Sequence, residues 1–325
     1  MNKRIISIDL LAAMMMVLVV IGHHTFVEAP SWYTQVHDYI YSFHMAVFVC
    51  VSSFLIAYAG QKETDDRKIW MRSMRKSGRF LWMLCAVGMV AIALQLLMND
   101  NQICHMAAWW DNVCLLLLYP MEGPAQFLWY LYLLVWGYLL YPIVRKLPNA
   151  LLLLLCLVTM FGGAVPVCRF MGVDLLCRYG CFYLLGIIAF RYLDRIRRIS
   201  LQCWLLAGMP FVIYSMTYGL LRENCSMPFV LTGLMALPFF AVFARFIAVT
   251  RCVREIVLPL SRYLLPLYLF QMFVIQGGHL IAARLLPLTE FYALYVLISS
   301  LITILGIIFA CKVYKRFMMA VYKRA

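Results

Sequence analysis

The sequence predicts an all-α protein, a polytopic transmembrane helical bundle of about ten spans with both termini cytoplasmic. Apolar residues make up 65% of the 325 positions and charged residues only 13%, whereas soluble domains average about 45–50% and about 25%. Many apolar segments approach the roughly 20 residues that a helix needs to cross a bilayer. Basic residues also alternate between the connecting segments. The whole chain, residues 1–325, is therefore expected to form one membrane domain.

The apolar segments share near-spanning length and a low content of charge. They are 5–27, 38–60, 79–98, 127–145, 150–167, 174–192, 201–221, 228–248, 258–284 and 291–311. The stretch from Trp109 to Tyr119 could form an interfacial or re-entrant piece. An even number of spans preserves the alternation of basic content along the chain.

Basic residues are concentrated in every second connecting segment. All but four of the 28 lysines and arginines lie in these segments or at the two termini, and the positive-inside rule assigns both to the cytoplasm. The four exceptions are Arg169, Arg178, Arg222 and Arg284. The net charge of +14 is thus explained by topology and by contacts with anionic lipid. A nucleic-acid partner is not expected.

The first span, from Lys3 to Phe26, carries ionisable residues. Asp9 and His23 are fourteen positions apart, which places them within about 40° of one helical face at 100° per residue. His24 points away from that face. Ionisable groups in membrane segments usually face a bundle interior or a polar cavity. We therefore expect His23 to face inward and leave His24 open between a role in the site and the headgroup layer. A cleavable signal peptide is disfavoured because more membrane segments follow.

His44 enters the second span within its first turns, at a depth similar to that of His23. Because consecutive spans are antiparallel, both imidazoles could face one cavity. A neutral imidazole near a hydroxyl is a natural general base. No metal site is expected, because no ligand set with fixed spacing accompanies the two histidines.

Four patches of sequence combine into a recognisable order. They are IDLLAAMMMVLVVIGH with Asp9 and His23, YSFHMAVFVCVSSFLI with His44, FLWYLYLLVWGYLLYP with Trp129, and LSRYLLPLYLFQMFVI with Gln271. Together they resemble acyltransferase family 3, membrane proteins that acylate sugars of surface polysaccharides and related acceptors. The resemblance covers nearly the whole chain.

The chain also departs from the family pattern. Ala12 replaces the family's arginine in the first span, Ala46 its proline and Ser53 its glycine in the second, and Gln271 its late histidine. The arginine is associated in the family with the acyl donor or the active-site charge network. Asp9 therefore lacks its expected neighbour, unless another residue supplies the charge.

The resemblance implies a set of roles. His23 would be the catalytic base, with Asp9 in the same catalytic network. The substrate site would be lined by His44, Trp129, His24 and Gln271. No cofactor would be permanently bound, and acyl-CoA, most often acetyl-CoA, would be the co-substrate.

The implied partners are the bilayer and a glycan or lipid-linked sugar acceptor in a bacterial inner membrane. The basic stretch from Arg67 to Arg79 could attract the phosphates of coenzyme A, although topology alone also accounts for it.

Two alternatives remain open. Ala12 and Gln271 replace polar residues of the family pattern. These replacements also fit a non-enzymatic exporter of a polysaccharide or small metabolite, or an accessory subunit without catalysis. Binding of acyl-CoA separates an enzyme from an exporter, because an exporter has no use for the donor.

Overall fold

A computed structural model of the protein describes residues 5–98, 106–162, 168–224, 229–285 and 287–322. Within these ranges the chain folds into helices joined by turns and short irregular segments, and the described residues contain no β-strand. The α-helices are α1 Ile6–Gly22, α2 Ser31–Tyr41, α3 His44–Gly60, α4 Asp66–Met98, α5 Met106–Leu118, α6 Trp129–Val144, α7 Asn149–Gly162, α8 Val173–Arg191, α9 Leu193–Arg198, α10 Leu201–Asn224, α11 Phe229–Val249, α12 Arg251–Val257, α13 Leu264–Leu285 and α14 Leu288–Tyr322. The all-α prediction is confirmed for the described residues.

Several of these helices are suited to a membrane. Seven segments in the described ranges are long and apolar enough to cross one, namely Ser31–Gly60, Asp66–Met98, Gln126–Val144, Phe170–Arg191, Phe229–Val249, Leu264–Leu285 and Thr289–Met319. Shorter apolar helices cover Ile6–Gly22, Met106–Leu118 and Asn149–Phe161. Each predicted apolar segment overlaps a helix, but the first of them is shorter than expected because α1 ends at Gly22. The count of ten spans and the cytoplasmic termini stay predictions.

The chain divides into two compact units. The first comprises Met1–Phe48 and Ile199–Ala325, and the second comprises Val49–Arg198. The chain therefore passes from one unit to the other inside α3, just after its first turn. Each unit is described separately below.

In the first unit, α1 is a largely buried helix. It packs against α2, α11, α13 and α14, and buried residues occur all round it rather than on one stripe. These residues are Leu10, Leu11, Ala12, Ala13, Met15, Met16, Val19, Val20 and Gly22. A helix that is apolar on every side is stable only when other elements surround it. The end of α1 is thus held in place by packing.

In the second unit, α4 packs against α6 and α7 packs against α8. Arg191, at the end of α8, donates hydrogen bonds to the carbonyl oxygens of Val144, Arg145 and Leu147 at 3.2, 2.9 and 2.8 Å, and to Asn149 Oδ1 at 2.6 Å. The last carbonyls of a helix have no partner within the helix. Arg191 supplies those donors at the connection between α6 and α7.

Candidate functional site

The two adjacent histidines follow directly after α1 and cap its last turn. His23 Nδ1 lies 2.6 Å from the carbonyl oxygen of Val19, and His24 Nδ1 lies 3.0 Å from that of Val20. A carbonyl oxygen can only accept, so in each ring Nδ1 carries the proton. Nε2 is then the unprotonated nitrogen of the neutral imidazole. The backbone of α1 therefore selects the tautomer in which Nε2 of His23 can act as a base.

Three imidazoles surround one tyrosine. The ring of Tyr41, at the end of α2, has its centroid 4.0 Å from that of His37, 4.6 Å from that of His44 and 6.2 Å from that of His23. His44 Nδ1 in turn donates to the carbonyl oxygen of Ile40 at 2.7 Å, which again leaves Nε2 unprotonated. The structure thus brings His23 and His44 to one aromatic ring, as the antiparallel order of the first spans suggested.

His24 is enclosed within the first unit. Its side chain is fully buried, its ring packs edge-on against Tyr295 at 5.7 Å, and its Nε2 makes no hydrogen bond to the described residues. Because α1 ends at Gly22, helical geometry does not set the direction of the side chain at residue 24. In this conformation His24 is not accessible from solvent.

Asp9 occupies the opposite end of α1 from His23. It lies in the first turn, where the positive end of the helix dipole favours a carboxylate. Fourteen residues at 1.5 Å each separate the two groups by about 20 Å along the axis. Asp9 therefore cannot pair with the imidazole of His23 as a catalytic dyad. Ala12, at the position of the family's arginine, is buried in the same helix.

Gln271 is a buried amide in α13. Only 1% of its surface is exposed, and neither its Oε1 nor its Nε2 makes a hydrogen bond within the described residues. A buried polar group left unpaired costs about 1–3 kcal/mol. An unpaired buried group in a native protein calls for an explanation. A bound ligand that pairs with the amide is one possible explanation.

Trp129 lies in the second unit, at the first position of α6. Its ring stacks on Tyr179 of α8 with centroids 5.1 Å apart. The neighbouring Tyr130 is hydrogen-bonded to the hydroxyl of Ser52 in α3. The N-terminal end of α6 thus carries aromatic rings and hydroxyl groups of the second unit.

The second unit also carries a basic stripe on α4, consisting of Lys68, Arg72, Arg75, Lys76 and Arg79. With Met71, these side chains line a surface pocket of about 250 Å³. Lys68 Nζ lies 3.9 Å from Asp65 Oδ2, and Arg72 donates a hydrogen bond to the carbonyl oxygen of Ala59. The other three cations have no ion-pair partner in the described part of the chain. The pocket therefore has the charge to attract a polyanion.

Sequence reasoning did not single out Tyr41 and His37. They are four residues apart in α2, a spacing that places two side chains on one helical face, and this signal was present in the sequence. The described residues contain no group of three or more His, Cys, Asp or Glu side chains that could hold a metal ion.

These features together define a multi-pass α-helical membrane protein in which imidazoles with unprotonated Nε2 atoms cluster at the end of a buried helix. The chain belongs to acyltransferase family 3, whose model, described as an acyltransferase domain, matches residues 5–312. The match includes both units. It identifies the protein as a membrane acyltransferase. No significant match was found among curated proteins or solved structures.

Proposed function

We propose that this protein is an integral membrane O-acyltransferase that transfers an acyl group, most often acetyl, from acyl-CoA to a sugar hydroxyl. The acceptor is a surface glycan or a lipid-linked sugar at a bacterial inner membrane. The observation that carries the proposal is the hydrogen bond from His23 Nδ1 to the carbonyl oxygen of Val19. It presents Nε2 as a proton acceptor at the end of a buried helix.

The proposed reaction needs one base. Nε2 of His23 removes the proton of the acceptor hydroxyl while its oxygen attacks the thioester carbonyl carbon. The new C–O bond forms, the C–S bond breaks, and the proton returns from the imidazolium to the departing coenzyme A thiolate. The products are an ester and free coenzyme A, and no metal or redox partner is required.

The acceptor would be held by polar and aromatic side chains. The imidazoles of His44 and His23 both pack against the ring of Tyr41. This proximity supports a role for His44 in binding the sugar beside the base. Gln271 offers a buried amide whose donor and acceptor make no hydrogen bond to the described residues. Trp129 offers an aromatic face, and His24 would take part only if its buried pocket opens. Asp9 would act at the far end of α1 rather than on His23.

The donor would be attracted by the basic stripe of α4. Its cations suit the phosphate groups of coenzyme A, because charge-assisted hydrogen bonds to phosphate are strong. The same stripe also suits anionic lipid headgroups, so the two ligands must be separated by experiment.

The test compares a strain that lacks the gene with strains complemented by the intact gene, by His23→Ala or by His23→Asn. Asparagine retains a short amide donor for the Val19 carbonyl but has no basic nitrogen, so it separates capping from catalysis. Mass spectrometry of the native cell's surface glycans, at equal membrane abundance of each protein, is the measurement. We expect acylation only with the intact gene.

Restored acylation with His23→Asn would overturn the role of His23. A fall in glycan export with unchanged acylation in all strains would favour the exporter instead.

A further inference from the structure

We propose that Tyr33 and Tyr292 are positioning residues for His23. Their hydroxyl groups hold the backbone on either side of that histidine and thereby fix where its Nε2 points. This inference rests on the proposed function of His23 as the base. Neither tyrosine needs to touch a substrate.

The hydrogen bonds bracket His23 on both sides. The Tyr33 hydroxyl donates to the carbonyl oxygen of Ile21, two residues before it, and the Tyr292 hydroxyl donates to the carbonyl oxygen of His24, one residue after it. The helix itself fixes this segment weakly. α1 ends at Gly22, and the backbone N–H of His23 reaches the carbonyl oxygen of Val20 only at 3.3 Å.

The two tyrosines are well placed to act as fixed supports. Each is only 1% exposed, and their ring centroids are 5.1 Å apart. Tyr33 belongs to α2 and Tyr292 to α14, so two helices distant in sequence contact the same short segment. Trp32 packs edge-on against both rings. The hydroxyls therefore have little freedom to follow a displaced backbone.

Position matters more for a general base than for a residue that only packs. The basic nitrogen must come within hydrogen-bond reach of the hydroxyl that it deprotonates, and a displacement of about 1 Å can cost about a hundredfold in rate. Removing one of the two hydroxyls frees one side of the segment while leaving the ring and its packing in place. Tyrosine to phenylalanine is thus the appropriate change.

The chain provides a matched control in Tyr295. It is also largely buried, and its ring packs against Tyr292 at 5.8 Å. Within the described residues its hydroxyl makes no hydrogen bond to the segment from Ile21 to His24. Tyr295→Phe therefore removes an equivalent buried hydroxyl from the same cluster without releasing the segment.

The experiment uses the full-length protein purified in nanodiscs, with Tyr33→Phe, Tyr292→Phe and Tyr295→Phe. The first readout is the rate at which diethyl pyrocarbonate modifies His23, quantified by peptide mass spectrometry. The second is transfer of radiolabelled acetyl groups from acetyl-CoA to glycans of the native membrane. The melting temperature of each variant is measured in parallel.

In Tyr33→Phe and Tyr292→Phe we expect the His23 modification rate to change about fivefold, the factor that corresponds to one hydrogen bond. We expect kcat to fall about tenfold or more, with the KM for acetyl-CoA unchanged. Tyr295→Phe should match the wild type in the His23 modification rate and in kcat.

Unchanged His23 modification and unchanged kcat in both variants, in an active wild type, would overturn the positioning role. An equal loss of kcat in all three variants would also overturn it. An inactive wild type with shifted modification rates would refute the acyltransferase proposal and leave the positioning intact.

Discussion

Gly22 and the ring of Tyr41 approach so closely that a Cβ atom on Gly22 would lie 2.7 Å from Tyr41 Cε2. Glycine at the last position of α1 is what lets the tyrosine sit beside His23. The contact links the end of α1 to the end of α2 and so to the whole imidazole cluster.

The first prediction concerns this contact. Gly22→Ala should displace the Tyr41 ring and lower acyl transfer about tenfold through misplacement of the cluster, while overpacking costs about 1–3 kcal/mol of stability. Gly306→Ala is the control, since nothing lies within 4 Å of a Cβ at Gly306. Acetyl transfer and thermal unfolding in nanodiscs are the measurements. Equal activity of the two variants would contradict the assigned contact.

A second close approach joins α3 and α8 within the second unit. A Cβ on Gly186 would lie 2.0 Å from Ser53 Oγ and 2.1 Å from the carbonyl oxygen of Cys50. The carbonyl belongs to a helix backbone and cannot move aside without separating the helices. Gly186→Ala should therefore destabilise the protein by about 3 kcal/mol or more, seen as a lower melting temperature. Gly78→Ala, with open space around its Cβ, should melt like the wild type.

Arg191 gives a third prediction. Its guanidinium makes four hydrogen bonds from two nitrogens, a planar arrangement that an ammonium group cannot reproduce. Arg191→Lys should lower the free energy of unfolding by about 2–3 kcal/mol, although the charge is retained. Arg197→Lys is the control, because its exposed pair with Asp194 tolerates the exchange. A wild-type melting curve for Arg191→Lys would show that charge alone suffices there.

Much of the fold was predictable because lipid imposes simple rules on sequence. Long apolar segments had to become helices, since only helices satisfy their own backbone hydrogen bonds in lipid. Helix ends were harder to predict. The break between α2 and α3 at Ser42 and Phe43 follows from contacts such as that of Thr232 Oγ1 with the Ser42 carbonyl oxygen at 2.5 Å. Such a contact joins residues far apart in sequence.

The candidate site was predictable in part for the same reason. His23 and His44 were identified from their positions in the first two spans. The burial of His24 could not be read from a helical wheel, because α1 ends at Gly22 and residue 24 lies beyond that end. Tyr33 and Tyr292 were missed because their hydroxyls act on backbone carbonyls, and nothing in a side-chain pattern reveals such a partner.

A fourth prediction concerns Gln271. Gln271→Met replaces a buried amide, which has no hydrogen-bond partner among the described residues, by an apolar side chain of similar volume. The protein should therefore become more stable, by about 1 kcal/mol. If the amide binds the acceptor, acyl transfer should fall at the same time. Melting temperature and acetyl transfer to native glycans are measured together, with Gln126→Met on the exposed start of the segment before α6 as control. A stabilised variant with full activity would exclude Gln271 from the site.

The basic stripe of α4 supports the last prediction. Arg75→Gln combined with Arg79→Gln removes two cations without an ion-pair partner in the described residues, and both line the pocket. If the pocket binds the phosphates of coenzyme A, the KM for acetyl-CoA should rise about tenfold while kcat is retained, which marks a loss of uniform binding. Added salt should narrow the difference in KM between this variant and the wild type, because salt screens exposed charges.

The control for the stripe removes the same net charge elsewhere, with Lys312→Gln and Lys315→Gln on the exposed surface of α14. Nanodiscs with and without anionic lipid separate the two possible ligands. A rise in KM that is independent of lipid composition and confined to the α4 variant would assign the pocket to the donor. An unchanged KM, with weaker binding of that variant to anionic nanodiscs, would assign the stripe to lipid headgroups and require a different donor site.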